Sequence, residues 1–290
     1  MRSFKVYSGE FTHIYDPSVG EDSSWYLNDH CITHDGTKWH MFGITHEEPA
    51  NPLEEKMLAH ATSKKLTGAM WNKEPHVLHY SPQDGESHVW APHVIKHEGL
   101  YHMFYCAGGH DNAHYRIHLA TSSDLYTWHR SQRNPLVVDG FDARDPMIIR
   151  IDNKWVMYYT ATSTPTGGNH QVACVTSRDL INWENKQVVF THPKEGTYGG
   201  PCESPFVVYE KGHYFLFIGP MKGYSDTRVY VSDDPFNFSI SNEVGIIPAH
   251  AAEVVVGPSG EYYVTRAGWG EGGLYIAPLY FVGDTIVIAL

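Results

Sequence analysis

The clearest pattern of apolar and polar positions in this chain has a period of two. Between Asp142 and Thr162, Met147, Ile149 and Ile151 alternate with other residues, Asp152-Asn153 carries turn chemistry, and Trp155 to Thr160 is an aromatic and β-branched run. This predicts strand, tight turn, strand. The same hairpin is found five times, in D-H-C-I-T-H-D-G-T-K-W-H-M-F from Asp29, A-P-H-V-I-K-H-E-G-L-Y-H-M-F from Ala91, the Asp145 copy, S-P-F-V-V-Y-E-K-G-H-Y-F-L-F from Ser204 and A-E-V-V-V-G-P-S-G-E-Y-Y-V from Ala252. The aromatics that open the second strands are Trp39, Tyr101, Trp155, Tyr214 and Tyr262, at intervals of roughly 50 to 60 residues, and an all-strand repeat of that order predicts blades.

The first four copies continue alike. A third strand follows at Met57–Thr62, Ile117–Thr121, Val172–Thr176 and Arg228–Ser232; a turn then leads to an aromatic such as Trp128 or Trp183, and short apolar runs such as Pro135–Val138 and Gln187–Phe190 supply a fourth strand. Five four-stranded antiparallel sheets set radially make a five-bladed β-propeller, an all-β fold. An open ring leaves strand edges, so Phe4–Tyr7 is expected to pair with the last blade and close it.

The repeat fills nearly all of the 290 residues, so 1–290 is expected to be a single domain. With 21 Lys and Arg against 33 Asp and Glu the net charge is −12, and no run of basic residues forms a stripe, which argues against nucleic acid and anionic membrane surfaces as partners. An uncharged substrate suits this balance better. The N-terminus carries no apolar run of signal-peptide length, and Cys31, Cys106, Cys174 and Cys202 lack C-x-x-C spacing, with three of them inside apolar strand runs. Buried reduced thiols and a cytoplasmic location are expected. Most of the 20 histidines, such as His40 and His102 at equivalent repeat positions, read as structural; no metal and no cofactor are predicted.

In a propeller the residues just before each innermost strand ring one mouth of the central funnel. Three of these positions carry an acid: Asp29, Asp145 and Glu203 stand ten or eleven residues before their marker aromatics. One such acid is an ordinary turn residue. Three at one mouth repel each other and call for a reason. Glycosidic cleavage supplies it, since one carboxyl protonates the leaving oxygen while another acts as nucleophile or as base for water. Arg144 either holds Asp145 ionised or grips a sugar hydroxyl, and Trp25, Trp90, Trp269 and Tyr198 offer faces for ring stacking. His93, His250 and Glu253 read equally as pocket residues or as satisfied strand-start residues.

Trp25-Tyr26-Leu27-Asn28-Asp29, with Gly36 to Phe42 after it, resembles the W-M-N-D-P-N-G motif and following strand of glycoside hydrolase family 32, the fructofuranosidases; Arg144-Asp145-Pro146 and Glu203-Ser204-Pro205 look like that family's R-D-P and E-C-P. The resemblance implies that Asp29 is the nucleophile, Asp145 a transition-state stabiliser and Glu203 the acid/base of a retaining reaction, with Asn28 among the substrate-binding residues. It departs at His30, Cys31, Ile32 and Ser204, and no C-terminal β-sandwich is expected in this chain. Val89-Trp90-Ala91-Pro92-His93-Val94 is similar instead to the W-A-P-D-V stretch of glycoside hydrolase family 43, which inverts. The expected partner is an oligosaccharide or small glycoside, furanoside-type favoured. The alternatives are an inverting arabinofuranosidase or xylosidase, a phosphorylase or transferase with Arg144, Arg228 or Arg266 at a phosphate site, and a sugar-binding protein without catalysis.

Overall fold

The alternating runs fold as antiparallel meanders, in each of which successive strands of the repeat pair with one another. The computed structural model describes residues 4–196, 199–220 and 223–283. After β1 (Lys5–Ser8) and β2 (Thr12–Tyr15), the first meander is β3 (Trp25–His34), β4 (Trp39–Glu47), β5 (Leu58–Ser63) and β6 (Asn72–Val77). The second is β7 (Trp90–His97), β8 (Leu100–Ala107), β9 (Arg116–Ser122) and β10 (His129–Arg130), and the third is β11 (Arg144–Ile151), β12 (Lys154–Thr164), β13 (Gly167–Ser177) and β14 (Glu184–Glu195). The last sheet has nine strands. In it β15 (Glu203–Glu210), β16 (His213–Gly219), β17 (Thr227–Ser232) and β18 (Glu243–Ile247) are joined through β1 to β21 (Leu274–Val282), β20 (Tyr262–Arg266) and β19 (Glu253–Val256).

The chain's beginning meets its end in that sheet. β1 and β2 both run antiparallel along β21, with Val6 opposite Phe281 and Thr12 opposite Ile276, so the N-terminal segment pairs as expected. Val6 also meets Gly245 of β18 in parallel, which is what fuses two meanders into one sheet. The first strands pack in sequence, β3 on β7, β7 on β11, β11 on β15, β15 on β19 and β19 on β3, giving a propeller-like arrangement. Among the described residues no helix is long and apolar enough to cross a membrane.

The aromatics after the third strands are wedges between sheets. Trp128 sets its edge against Phe42 of the preceding meander at 5.5 Å, and Trp183 does the same to Phe104 at 5.8 Å. Each such contact adds on the order of 1 kcal/mol beyond the burial of its area. The turns that deliver them are alike: Ser122 and Ser177 cap Leu125 and Leu180, while Asp124 and Asp179 accept from the next two backbone N–H groups. All four cysteines are free and buried, and His40 is buried between His60 and Asp35.

The expected fourth strand at Pro135–Val138 is not formed. His129–Arg130 takes that place, and Val137 makes only an isolated bridge to Ile117. Pro135 has no N–H for a ladder, and the Asn134 side chain both accepts from Leu119 N and donates to Leu119 O, taking up the backbone groups a strand would use.

A one-residue register shift recurs near the start of four first strands: between Leu27 and His30, Trp90 and His93, Arg144 and Met147, and Glu203 and Phe206. In three of them the shift contains a proline, Pro92, Pro146 or Pro205, whose missing N–H leaves nothing unpaired. In the first, Gly43 lies opposite His30, and a Cβ there would meet Leu27 Cδ1 and His30 Cβ at 2.9 Å and the Asn28 carbonyl oxygen at 3.1 Å. Gly43→Ala should therefore destabilise the fold by about 1–3 kcal/mol, seen as a lowered Tm. A Tm equal to that of the wild type would show that β3 is free to move away from β4 at Asn28-Asp29.

Candidate active site

The register shifts aim side chains into the middle of the ring. Asp145, Ser204 and Ala91 sit at the shift with φ of 54°, 48° and 46°, and Ala251, just before the last first strand, has a φ of 48°. This left-handed backbone is costly for a residue with a Cβ and is held only where its surroundings dictate it. At Asp145 the surroundings are visible. Its Oδ2 accepts from Ser204 N at 3.0 Å, Thr160 Oγ1 at 2.9 Å and Arg144 Nη1 at 3.3 Å.

Arg144 is the centre of the polar network. Its Nε donates to Asp142 Oδ1 at 3.0 Å and its Nη1 to Glu203 Oε1 at 2.6 Å, in addition to Asp145. All four side chains are buried. Asp29 joins them through Ser204, whose hydroxyl donates to Asp29 Oδ1 at 2.5 Å. Burial is the first cause of each shifted carboxyl. It lifts Asp29 well above the usual range, with the Asp145 charge adding to it and Ser204 opposing. Glu203 is raised by burial against the pull of Arg144, and Asp142 is pushed up to about 7.

Asp29, Asp145 and Glu203 open into one pocket, lined also by Asn28, Ile44, Trp90 and Arg144 from strands and by Glu55, Tyr224, His250 and Trp269 from loops. Tyr224 stands edge-on to His250 at 4.7 Å and lies 5.4 Å from the Trp269 ring. Burial holds His250 down at about 4, so it is neutral at pH 7. Trp90 is stacked on His88 at 3.6 Å, which fixes its face.

The structure thus brings together Asp29, Asp145, Glu203, Asn28, Arg144, Trp90, His250 and Trp269. Three expected pocket residues lie elsewhere. Trp25 faces His46, His76 and Lys73 at the side of the first sheet. His93 is buried against Phe206, inside the ring of first strands. Glu253 lines a smaller adjoining cavity with Asp29, Asp145 and Ser204, raised well above the usual range by burial and then by the Asp29 charge. Tyr198 lies outside the described residues. Glu55, Tyr224 and Ile44 had no signal in the repeat: the first two are on loops, and Ile44 reads as one more strand residue. Among the described residues no group of three or more His, Cys, Asp or Glu side chains is placed to hold a metal ion.

Comparison with known proteins places this geometry in context. The family described as "Glycosyl hydrolases family 32 N-terminal domain" matches residues 23–242. A 1,2-β-oligomannan phosphorylase of Thermoanaerobacter sp. (strain X514) is 28% identical over 194 residues, which are 62% of this chain and 62% of that protein, so the chain spans less than two thirds of this curated relative. Among solved structures, a thermostable family-43 glycoside hydrolase superposes with TM-score 0.67 at 18% identity, covering 93% of this chain and 92% of that one. The GH32 β-fructofuranosidase of Bombyx mori gives 0.68 at 17% identity over 97% of this chain and 61% of that one. At such identities the likeness shows the fold.

Replacing Arg144 would leave three buried acids without their cation. Arg144→Gln should cost about 3–5 kcal/mol near pH 8. Arg144 pulls Asp142 and Glu203 down, so its loss lifts them further. A carboxyl whose folded pKa is raised contributes stability that is present at low pH and lost as pH rises. Thermal unfolding from pH 5 to 8 should show the deficit shrinking toward pH 5; a deficit independent of pH would mean that Arg144 acts by packing alone.

Proposed function

Since the chain belongs to the glycosyl hydrolase family 32 N-terminal domain family, we propose that it is a glycosidase removing a terminal, furanoside-type sugar from an oligosaccharide or small glycoside. We read the ring of first strands as the axis of a five-bladed propeller, with β1 bridging the fourth and fifth blades. The observation that carries the functional reading is the convergence of Asp29, Asp145 and Glu203 in one pocket walled by Trp90 and Trp269. Asp29 is assigned as nucleophile, Glu203 as general acid/base and Asp145 as the group that holds sugar hydroxyls and, with Arg144, the charge of the transition state.

The pocket's charge favours water over phosphate as the acceptor. Arg144 is the one permanent cation among its described lining residues, and it is already bonded to Asp142, Asp145 and Glu203. A phosphate dianion would add charge beside Asp29, Glu55, Asp145 and Glu203. Arg228 is paired with Asp226 and Glu243, and Arg266 lies over Phe11 and Tyr275, so neither offers a site at this pocket. A panel of aryl glycosides, furanosides included, run with and without inorganic phosphate and followed by proton NMR, tests the reading. Retention is expected, with no sugar phosphate; an inverted first product would make Asp29 a base for water instead.

Glu203→Gln should slow substrates with poor leaving groups by about 10²–10⁴-fold while sparing activated aryl glycosides, which need little protonic help. Asp29→Asn should abolish both. Near-normal turnover by Asp29→Asn would remove the catalytic assignment.

The pH profile follows from the same groups. Asp29 works ionised, so activity is lost as pH falls through its pKa, which burial and Asp145 hold well above the ordinary aspartate value of about 4. Asp145→Asn removes that charge, and the acid limb of kcat/KM should move to lower pH, whatever happens to its height. An unmoved limb would assign it to another group.

A further inference from the structure

Glu55 is a buried acid that neither the repeat nor the assigned chemistry accounts for. It follows a single helical turn at Pro52–Glu54, in the loop between β4 and β5. Its N–H donates to Pro52 O at 3.4 Å, and its carbonyl accepts from Val89 N at 3.1 Å, one residue before Trp90. One carboxyl oxygen, Oε1, takes both the Tyr26 hydroxyl at 2.9 Å and Trp269 Nε1 at 3.2 Å. The residue is 2% exposed and still lines the pocket.

Among the described residues, no Lys, Arg or His pairs with Glu55 in an ion pair. A buried carboxylate without a cation is expensive, and if its task were only to accept from Tyr26 and Trp269, a glutamine would do so with no charge to desolvate. A carboxylate has acceptor sites beyond the two used on Oε1. We propose that Glu55 is a specificity-determining residue that accepts a hydrogen bond from a hydroxyl of the sugar seated between Trp90 and Trp269. The proposal rests on the glycosidase reading. It also narrows the substrate to neutral sugars, because a phosphate ester or uronate at that ring would meet Glu55 as a like charge.

Burial raises Glu55 to about 7, against the pull of hydrogen bonding from Tyr26, Trp269 and Trp90. The titratable and charged groups around it are Tyr26, with Glu48 behind it, and, lining the same pocket, Asp29, Arg144, Asp145, Glu203, Tyr224 and His250. Above pH 7 the ionised carboxyl accepts strongly; below it the neutral acid accepts weakly. Sugar binding should therefore weaken as pH falls through about 7.

The test is steady-state kinetics of the full chain from pH 5.5 to 8.5 on an aryl furanoside that it cleaves. Wild-type KM should rise as pH falls. Glu55→Gln should raise KM about 10- to 100-fold at pH 8 and flatten its pH dependence, with kcat much less affected. Tyr26→Phe, which removes a donor that pulls Glu55 down from outside the pocket, should move the KM limb to higher pH. A merely structural Glu55 would lower Tm in both variants and leave the KM profile where it was, and that result, or a fall in kcat at unchanged KM, overturns the proposal. If Glu55→Gln does not fold, Tyr26→Phe alone decides. If the wild type cleaves nothing in the panel, the glycosidase reading is what fails, and Kd values for methyl furanosides from tryptophan fluorescence, at the same pH values, replace KM.

Discussion

The structure is organised around one guanidinium sunk among carboxylates. Arg144 binds Asp142, Asp145 and Glu203 in the interior of a ring of strands, where an unpaired charge is not tolerated. Three acids share one cation, and burial raises Asp142 and Glu203 against the pull of Arg144 and raises Asp29 with the Asp145 charge adding to it. With three acids to one cation, the pocket is unsuited to anions.

The register shifts make this cluster possible. A regular strand sends alternate side chains to opposite faces, so consecutive residues such as Arg144 and Asp145 could not both turn to the axis. The shift between Arg144 and Met147, with Asp145 in the left-handed region, lets both reach Glu203 or its neighbour Ser204 on the next first strand. Proline at the following position removes the N–H that the broken ladder would have left unpaired. The site is thus built on strands, while Glu55, Tyr224, His250 and Trp269 of its walls come from loops.

Those walls depend on ring closure. Trp269 from the last repeat bonds Glu55 of the first, and Gly270 N donates to Glu48 Oε1 at 3.0 Å. Both contacts exist because β1 and β2 zip along β21 and bring the two ends of the chain into one sheet. Loosening the N-terminal strands would therefore open the pocket wall that holds Trp269.

The strands, their grouping into repeats and the three acids were legible in the sequence, because period two, turn residues and marker aromatics are local and recur. Asp29, Asp145 and Glu203 stood out because the repeat supplies a common register in which a charge at a strand head is anomalous. Local pattern does not say which face a side chain takes near a register shift, since a slip of one residue reverses it; so Trp25 and His93 were expected in the pocket and lie outside it. Pro135–Val138 looked like a strand, but Asn134 had already claimed the partner backbone. Glu55 and Tyr224 belong to loops that obey no period, and their places were decided only when the ring closed and set sheets distant in sequence side by side. What depends on neighbours along the chain was written in the sequence; what depends on neighbours across the axis was settled by packing, because burial and hydrogen bonding between separate sheets exist only in the closed fold.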